Sequence, residues 1–304
     1  MSVITDTAAQ AKPSVRALLS GVVDYAGLFP PSALSMPEAV INYAMYRNSN
    51  YSWMLGRFVV TAARLDEFYE NARDFISRDG HDAWRVAVVV GENFVEALND
   101  IKNFNAANSG VVCDVVEIKA DSHGTIENAA LSVGDLTAYF ELPLNDDLPD
   151  LVATLALKNQ RAKIRTGGVT ADAFPKTTDI IRFVKTCLAA NVPFKATAGL
   201  HHPIRCFKPL TYEADAPTGT MHGFLNLFMM SGFAREGFRD SLLVDVMEEE
   251  FEEVFRFDET AAAWRDEYRL TLAQMTSLRA TGIQSFGSCS FDEPVADLQK
   301  LGIL

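Results

Sequence analysis

The chain has 304 residues, 48% of them hydrophobic, and a formal net charge of −13. That is ample for one large core or for two of ordinary size. The acidic balance, with no cluster of Lys and Arg anywhere, argues against nucleic acid and against an anionic membrane surface as partners, and no run approaches 18 apolar residues, so no membrane span is expected.

The N-terminal stretch MSVITDTAAQAKPSV has neither the basic nor the apolar region of a secretory leader, and its first 13 residues are expected to be mobile. From there short apolar runs alternate with segments of helical period. A first strand is expected in GVVDYAGLF (21–29) and a helix in MPEAVINYAMYR (36–47), then a strand in YSWMLGRFVV (51–60) and a helix in RLDEFYENARDFIS (64–77). Strands in WRVAVVV (84–90) and VVCDVVEIKA (111–120) flank a helix in NFVEALNDIKNFNAA (93–107). TAYFELPL (137–144), RAKIRTG (161–167) and PFKATAG (193–199) read as strands, separated by helices at 146–157 and 177–190. GIQSFGSCS (282–290) makes the eighth strand, and EPVADLQKLGIL a last short helix.

Strand alternating with helix is the pattern of a parallel sheet, and eight units predict a closed (β/α)8 TIM-type barrel spanning 1–304 as a single domain. No GxGxxG follows the first strand, so a dinucleotide fold gains nothing. The seventh unit is oversized. About eighty residues separate its strand from the eighth, and 204–281 reads as a helical insertion of two or three helices that could cap the barrel mouth or, over 221–280, form a homo-oligomer contact. Within it, Leu243, Met247, Phe251, Val254 and Phe255 fall at helical spacing, with Glu248, Glu249, Glu252 and Glu253 as a solvated face.

Alternation along the strands sorts the charges. Glu117 shares a face with Lys119, Glu141 with Tyr139, Lys163 with Arg165, Lys195 with Thr197, and Arg57 with Leu55 and Trp53. Their neighbours Val116, Ile118, Ile164, Phe194 and Ala196 suit the outer layer under the helices. The charged set then points into the barrel and lies late in its strands, near the C-terminal mouth where such barrels place their chemistry. An uncompensated buried charge costs several kcal/mol, so stability alone would not select this set.

A barrel lysine is the natural imine-former, because desolvation and a neighbouring cation both lower its pKa. Lys195 is the leading candidate, with Lys163 on the adjacent strand as the neighbouring cation and Glu141 or Glu117 to shuttle protons. Arg57, Lys119, Arg165 and Thr197 are candidates to hold a small, anionic substrate. Small residues after three strands could expose backbone N–H groups to the same anion: Thr166 and Gly167 in RTGG, the TAG segment, and Ser288 and Ser290 in GSCS. Asp292 and Glu293 at the following helix start argue against a fully charged phosphate. His201 and His202 follow the lysine strand and suit acid–base work, and His222 opens the next helix as a substrate contact.

No cofactor is predicted. The alternative chemistry is a divalent metal held by Glu117, Glu141, His201 and His202, as in a metal-dependent lyase, isomerase or hydrolase, although HExxH is absent. A non-catalytic binding or scaffold protein is the third reading. Cys113, Cys187, Cys206 and Cys289 form no CxxC pair and read as reduced thiols of a cytoplasmic protein; only Cys289, at the mouth, merits a test as a nucleophile. Asp24 or Tyr25 could reach the site, though a rigid DYAGLFPP loop accounts for them more simply. His81 and His123 read as surface residues.

KATAG at 195–199 resembles the K-T-S-T-G segment around the Schiff-base lysine of deoxyribose-phosphate aldolases, and KIRTGG at 163–168 is similar to their second lysine segment, K-A-S-G-G. Those enzymes are (β/α)8 class I aldolases. The resemblance covers about a dozen residues, with the two segments in reverse chain order. It implies an imine-forming lyase in which Lys195 carries the imine and Lys163 lowers its pKa.

Overall fold

The computed structural model describes residues 11–77 and 82–304. The mobility expected of the N-terminus and the surface position expected of His81 lie largely outside them. From Pro13, at its first turn, the chain is helical: α1 (Pro13–Leu19) buries Val15, Leu18 and Leu19.

The barrel is then laid down as β1 (Val23–Tyr25), α2 (Met36–Arg47), β2 (Leu55–Thr61), α3 (Leu65–Ala72), β3 (Trp84–Val90), α4 (Phe94–Ala107), β4 (Val111–Lys119), α5 (His123–Val133), β5 (Thr137–Glu141), α6 (Leu148–Leu157), β6 (Arg161–Arg165), α7 (Thr177–Ala189) and β7 (Phe194–Thr197). After a long excursion, β13 (Ile283–Ser288) slots between β7 and β1 and closes an eight-stranded, all-parallel barrel, followed by α11 (Asp292–Lys300). The expected (β/α)8 architecture is therefore present. Its eight strands fall in the eight expected runs, several of them shortened by turns. His123 is exposed, as expected, with Nδ1 2.6 Å from Thr154 Oγ1.

The excursion differs from the helical insertion expected. It opens with a hairpin, β8 (Cys206–Pro209) and β9 (Thr218–Met221). Helices α8 (Phe224–Arg235) and α9 (Asp240–Met247) follow, then a three-stranded antiparallel sheet of β10 (Phe255–Phe257), β11 (Ala261–Trp264) and β12 (Tyr268–Thr271), and finally α10 (Leu272–Thr281). Helix α8 is buried from Phe224 to Phe233 and packs on α7 and β13. It belongs to the barrel's own helical layer.

The acidic helix expected over 240–257 ends at Met247. Glu249, read as solvated, is instead buried, where it accepts from Trp264 Nε1 at 3.2 Å and from Arg265. Asn226 Nδ2 donates to the carbonyls of Val246 and Glu249, both at 2.8 Å, which draws the chain out of helical geometry. Between β11 and β12 the reversal puts Arg265 and Asp266 at positive φ. It uses no glycine, so the usual sequence signal of a hairpin is missing.

Two cores result. The outer one lies between strands and helices, and includes an aromatic chain of Tyr25, Tyr43, Phe58, Phe68 and Trp84. The inner one is small: Val59, Ala87, Val115 and Tyr139 inside the barrel. Two of the barrel's register shifts bear on which residues face it. In β4, Val86 pairs with Cys113 but Ala87 with Val115, leaving Asp114 as the extra residue of a bulge. Cys113 therefore packs outward, while Val115 and everything two residues apart after it faces inward. The second shift, between Ile283 and Phe286 of β13, turns both outward.

Candidate functional site

Inward-facing charges continue above the inner core as a single connected network. The backbone register brings Lys119, Glu141, Lys163 and Lys195 side by side across β4, β5, β6 and β7. Glu117 sits at the centre. Its Oε1 accepts from Lys195 Nζ at 2.6 Å and its Oε2 from Lys163 Nζ at 2.7 Å. Lys163 also donates to Glu141 Oε2 at 2.9 Å, and Arg165 Nε to Glu141 Oε1 at 3.1 Å. Behind Glu117, Lys195 donates to Asp24 Oδ2 at 2.5 Å. The same oxygen accepts from Ser285 Oγ at 2.7 Å, and Asp24 Oδ1 from the Arg57 amide at 2.8 Å.

Side-chain exposure rises along this chain from 1% at Lys195 through 7% at Lys163 and 16% at Glu141 to 54% at Arg165. The network thus runs from the barrel interior to the mouth. At the strand ends it meets a cavity of about 580 Å³, lined by Glu117, Lys119, Glu141, Lys163, Arg165 and, past the ends of β7 and β13, His201 and Cys289. Lys195 and Asp24 lie beneath the cavity floor and do not line it. The wall carries Lys119, Lys163 and Arg165 against two carboxylates, a locally cationic surface in an acidic protein, suited to a small anion.

The lysine expectation is corrected on one point. Burial alone would lower the Lys195 pKa, but Asp24 and Glu117 at hydrogen-bond distance outweigh it, so its pKa lies well above the usual lysine value. The neighbouring cation expected to lower it is outweighed, and Lys195 holds its proton more tightly than an ordinary lysine. The carboxylates mirror this. Burial pushes Glu117 up, and the ammonium groups of Lys163 and Lys195 bring it far below the ordinary range; Glu141 is likewise lowered, against burial, by Lys163 and Arg165.

A carboxyl held below its unfolded value contributes its full stability above that value and loses it as pH falls. Melting temperature is therefore expected to drop steeply as pH is lowered from about 5 to 3. The drop should be smaller in Glu117→Gln, which lacks the titrating group. Equal drops in both proteins, measured by thermal scans in matched buffers, would exclude Glu117 as the source.

Other candidates are placed elsewhere. Arg57 lies in the N-terminal half of the barrel, donating to Asp114 at 2.7 and 2.9 Å beside Arg85, away from the cavity. Thr166 is buried and donates to the Ala198 and Thr197 carbonyls at 2.7 and 3.2 Å, tying the β6 and β7 loops together. Ser288 Oγ accepts from the Ser290 amide and Ser290 Oγ from the Glu293 amide, so both hydroxyls are used within the turn into α11. His222 is buried, with Nε2 at 2.9 Å from the Pro175 carbonyl, outside the cavity lining. His202 pairs with Asp297 at 2.6 Å and lines a second cleft of about 240 Å³, which shares His201 with the cavity.

Of the four residues expected to hold a metal, Glu117, Glu141 and His201 line the cavity and His202 does not. Two are carboxylates already shared among Lys163, Lys195 and Arg165, and one histidine faces another cleft. Among the described residues no group of three His, Cys, Asp or Glu is placed to hold a metal ion.

Gly167 and Thr197 do line the cavity. Gly167 and Gly199 pack against each other so closely that a Cβ on either would lie 2.8 Å from the other's Cα. Ala198 and Gly199 both take positive φ, 63° and 75°, which costs roughly 1–2 kcal/mol at the alanine and turns the chain so that His201 reaches the wall. Gly167→Ala is expected to destabilise by about 1–3 kcal/mol, through overpacking between two backbones that cannot give way. Chemical denaturation measures it.

No protein-family model matches this chain, and no curated protein matches it. The site therefore rests on its own geometry. Sequence reading undervalued Asp24, whose signal was a lone carboxylate between Val23 and Tyr25 in an apolar strand. It missed Ser285, and it missed Tyr212 and Glu293 as partners of Cys289 and His201.

Proposed function

We propose that the protein is a lyase of the class I aldolase type, which forms an imine between Lys163 Nζ and the carbonyl carbon of a small anionic substrate. The observation that carries this reading is the placement of the two lysines. Lys163 meets the cavity flanked by Glu117 and Glu141, while Lys195 lies below as a fixed cation. This exchanges the roles that the local resemblance implied. With Lys163 as the reactive lysine, the order along the chain, reactive lysine before assisting lysine, becomes that of the aldolases.

The chemistry follows from the network. A substrate anion that pairs with Arg165 competes for the guanidinium that Glu141 uses, which raises the basicity of Glu141 and lets it take a proton from Lys163. The freed amine bonds to the carbonyl carbon, and the π pair moves to oxygen, which takes the proton. A proton then passes from the nitrogen to that oxygen, and its loss as water leaves an iminium. The bond between the α and β carbons then breaks, its electron pair flowing to the iminium nitrogen, and the β-hydroxyl proton passes to a carboxylate. Protonation of the enamine at the α carbon and hydrolysis return the amine. Lys195 holds Glu117 ionised throughout, a positioning role. Incubation with borohydride and small aldehydes or 2-oxo acids such as glyoxylate and pyruvate tests the reading. A reduced adduct on the Lys163 peptide is expected, and its absence across the panel sinks the proposal.

A further inference from the structure

The cavity has a second reactive wall that the imine chemistry leaves unused. Cys289, just past β13, lines it together with His201, just past β7. Cys289 Sγ lies 3.7 Å from His201 Nδ1, and that nitrogen is 3.4 Å from Glu293 Oε2. Tyr212, from the β8–β9 hairpin, places its hydroxyl 3.7 Å from the same sulfur and donates to Glu293 at 2.8 Å. These groups come from four separate elements and converge on one thiol; Tyr25 of β1 also interacts electrostatically with Cys289, and His202 with Glu293. His201 Nε2 has no hydrogen-bond partner among the described residues and is not among the enclosed, unpartnered atoms.

We propose that Cys289 and His201 form a second nucleophilic centre, a thiolate–imidazolium pair that adds reversibly to the aldehyde carbon of a small anionic compound in the cavity. The sulfur–carbon bond forms as the C=O π bond breaks. The electron pair moves to oxygen, which takes the Nε2 proton of the imidazolium, giving a neutral hemithioacetal and a neutral imidazole. No oxidant or further reactant is needed.

The electrostatics agree with the geometry. Burial opposes charge on both groups, yet hydrogen bonds to Cys289 and Glu293 bring His201 up to about 9, and the His201 bond brings the Cys289 thiol below its ordinary value. The half-buried thiol of Cys206, by contrast, is pushed up, mainly by burial. The centre shares the cavity with the imine chemistry but not its nucleophile, so the two readings fail separately.

Iodoacetamide labelling of the Lys163→Met variant, mapped by mass spectrometry, tests it without any imine on that lysine. At pH 6.5 Cys289 is expected to label at least tenfold faster than Cys206. Its rate should rise less than tenfold between pH 6.5 and 9.5, where an unperturbed thiol rises about a hundredfold. His201→Gln should slow labelling at pH 6.5 by tenfold or more, with Cys206 as internal control. Millimolar glyoxylate should protect Cys289, and its removal should restore labelling. An ordinary hundredfold pH profile, measurable without the histidine variant, or no protection by glyoxylate, overturns the proposal.

Discussion

Glu117→Gln is expected to destabilise the protein by about 3–5 kcal/mol in urea unfolding, the cost of removing one partner from a buried ion pair. The substitution keeps the shape of the side chain, so the loss is electrostatic. Both carboxylate oxygens of Glu117 accept from buried ammonium groups, Lys163 and Lys195, and no water-facing route lets Lys195 spread its charge. Lys195→Met is expected to cost a similar amount, because it leaves Asp24 and Glu117 facing each other without their shared cation. The double variant removes one charge of each sign. It should therefore be more stable than the sum of the two losses by at least 1 kcal/mol, on the order of measured couplings in contacting networks. Strict additivity would mean that the three groups are not one network, and would remove the physical basis for a fixed cation beneath the cavity.

Lys163→Met should lower the borohydride-dependent adduct at least a hundredfold below wild type, because it removes the amine that bonds to the carbonyl carbon. Lys195→Met, although less stable, should still label on Lys163 wherever it remains folded. The pair of variants separates reaction from positioning. A label that survives Lys163→Met and is lost in Lys195→Met would return the imine to Lys195. Arg165→Met supplies a finer readout: if the guanidinium gates the basicity of Glu141, adduct yield at saturating glyoxylate should change less than the glyoxylate concentration needed to reach it.

Much of this site was legible from alternation. Glu117 opposite Val116 and Ile118, Lys163 beside Ile164, and Lys195 between Phe194 and Ala196 each had one face that only a barrel interior could accept. The roles of the two lysines were not legible. Both sit in strands that pair residue for residue, Lys163 with Lys195, and only strand tilt and loop cover place one at the cavity and the other under its floor. Cys289 and His201 are separated by 88 positions, and no local spacing marks them as a pair. The histidine beside it in sequence, His202, turns to a different cleft.

The amino-acid order by itself determined the eight-stranded barrel, because periodic apolar runs and their intervening helices leave few other ways to bury 48% hydrophobic residues. It also determined which strand residues carry charge inward, since alternation is a local property of extended backbone. Tertiary structure decided the rest. The bulge at Asp114 brings an outward Cys113 and an inward Val115 into one strand, although plain alternation puts them on the same face. A buried Asn226 ends a helix that propensity would continue, and its partners lie 20 or more positions away. The depth of each lysine follows from which carboxylates the closed barrel brings within 3 Å. Those are long-range electrostatic and packing choices, and they exist only once the barrel has closed.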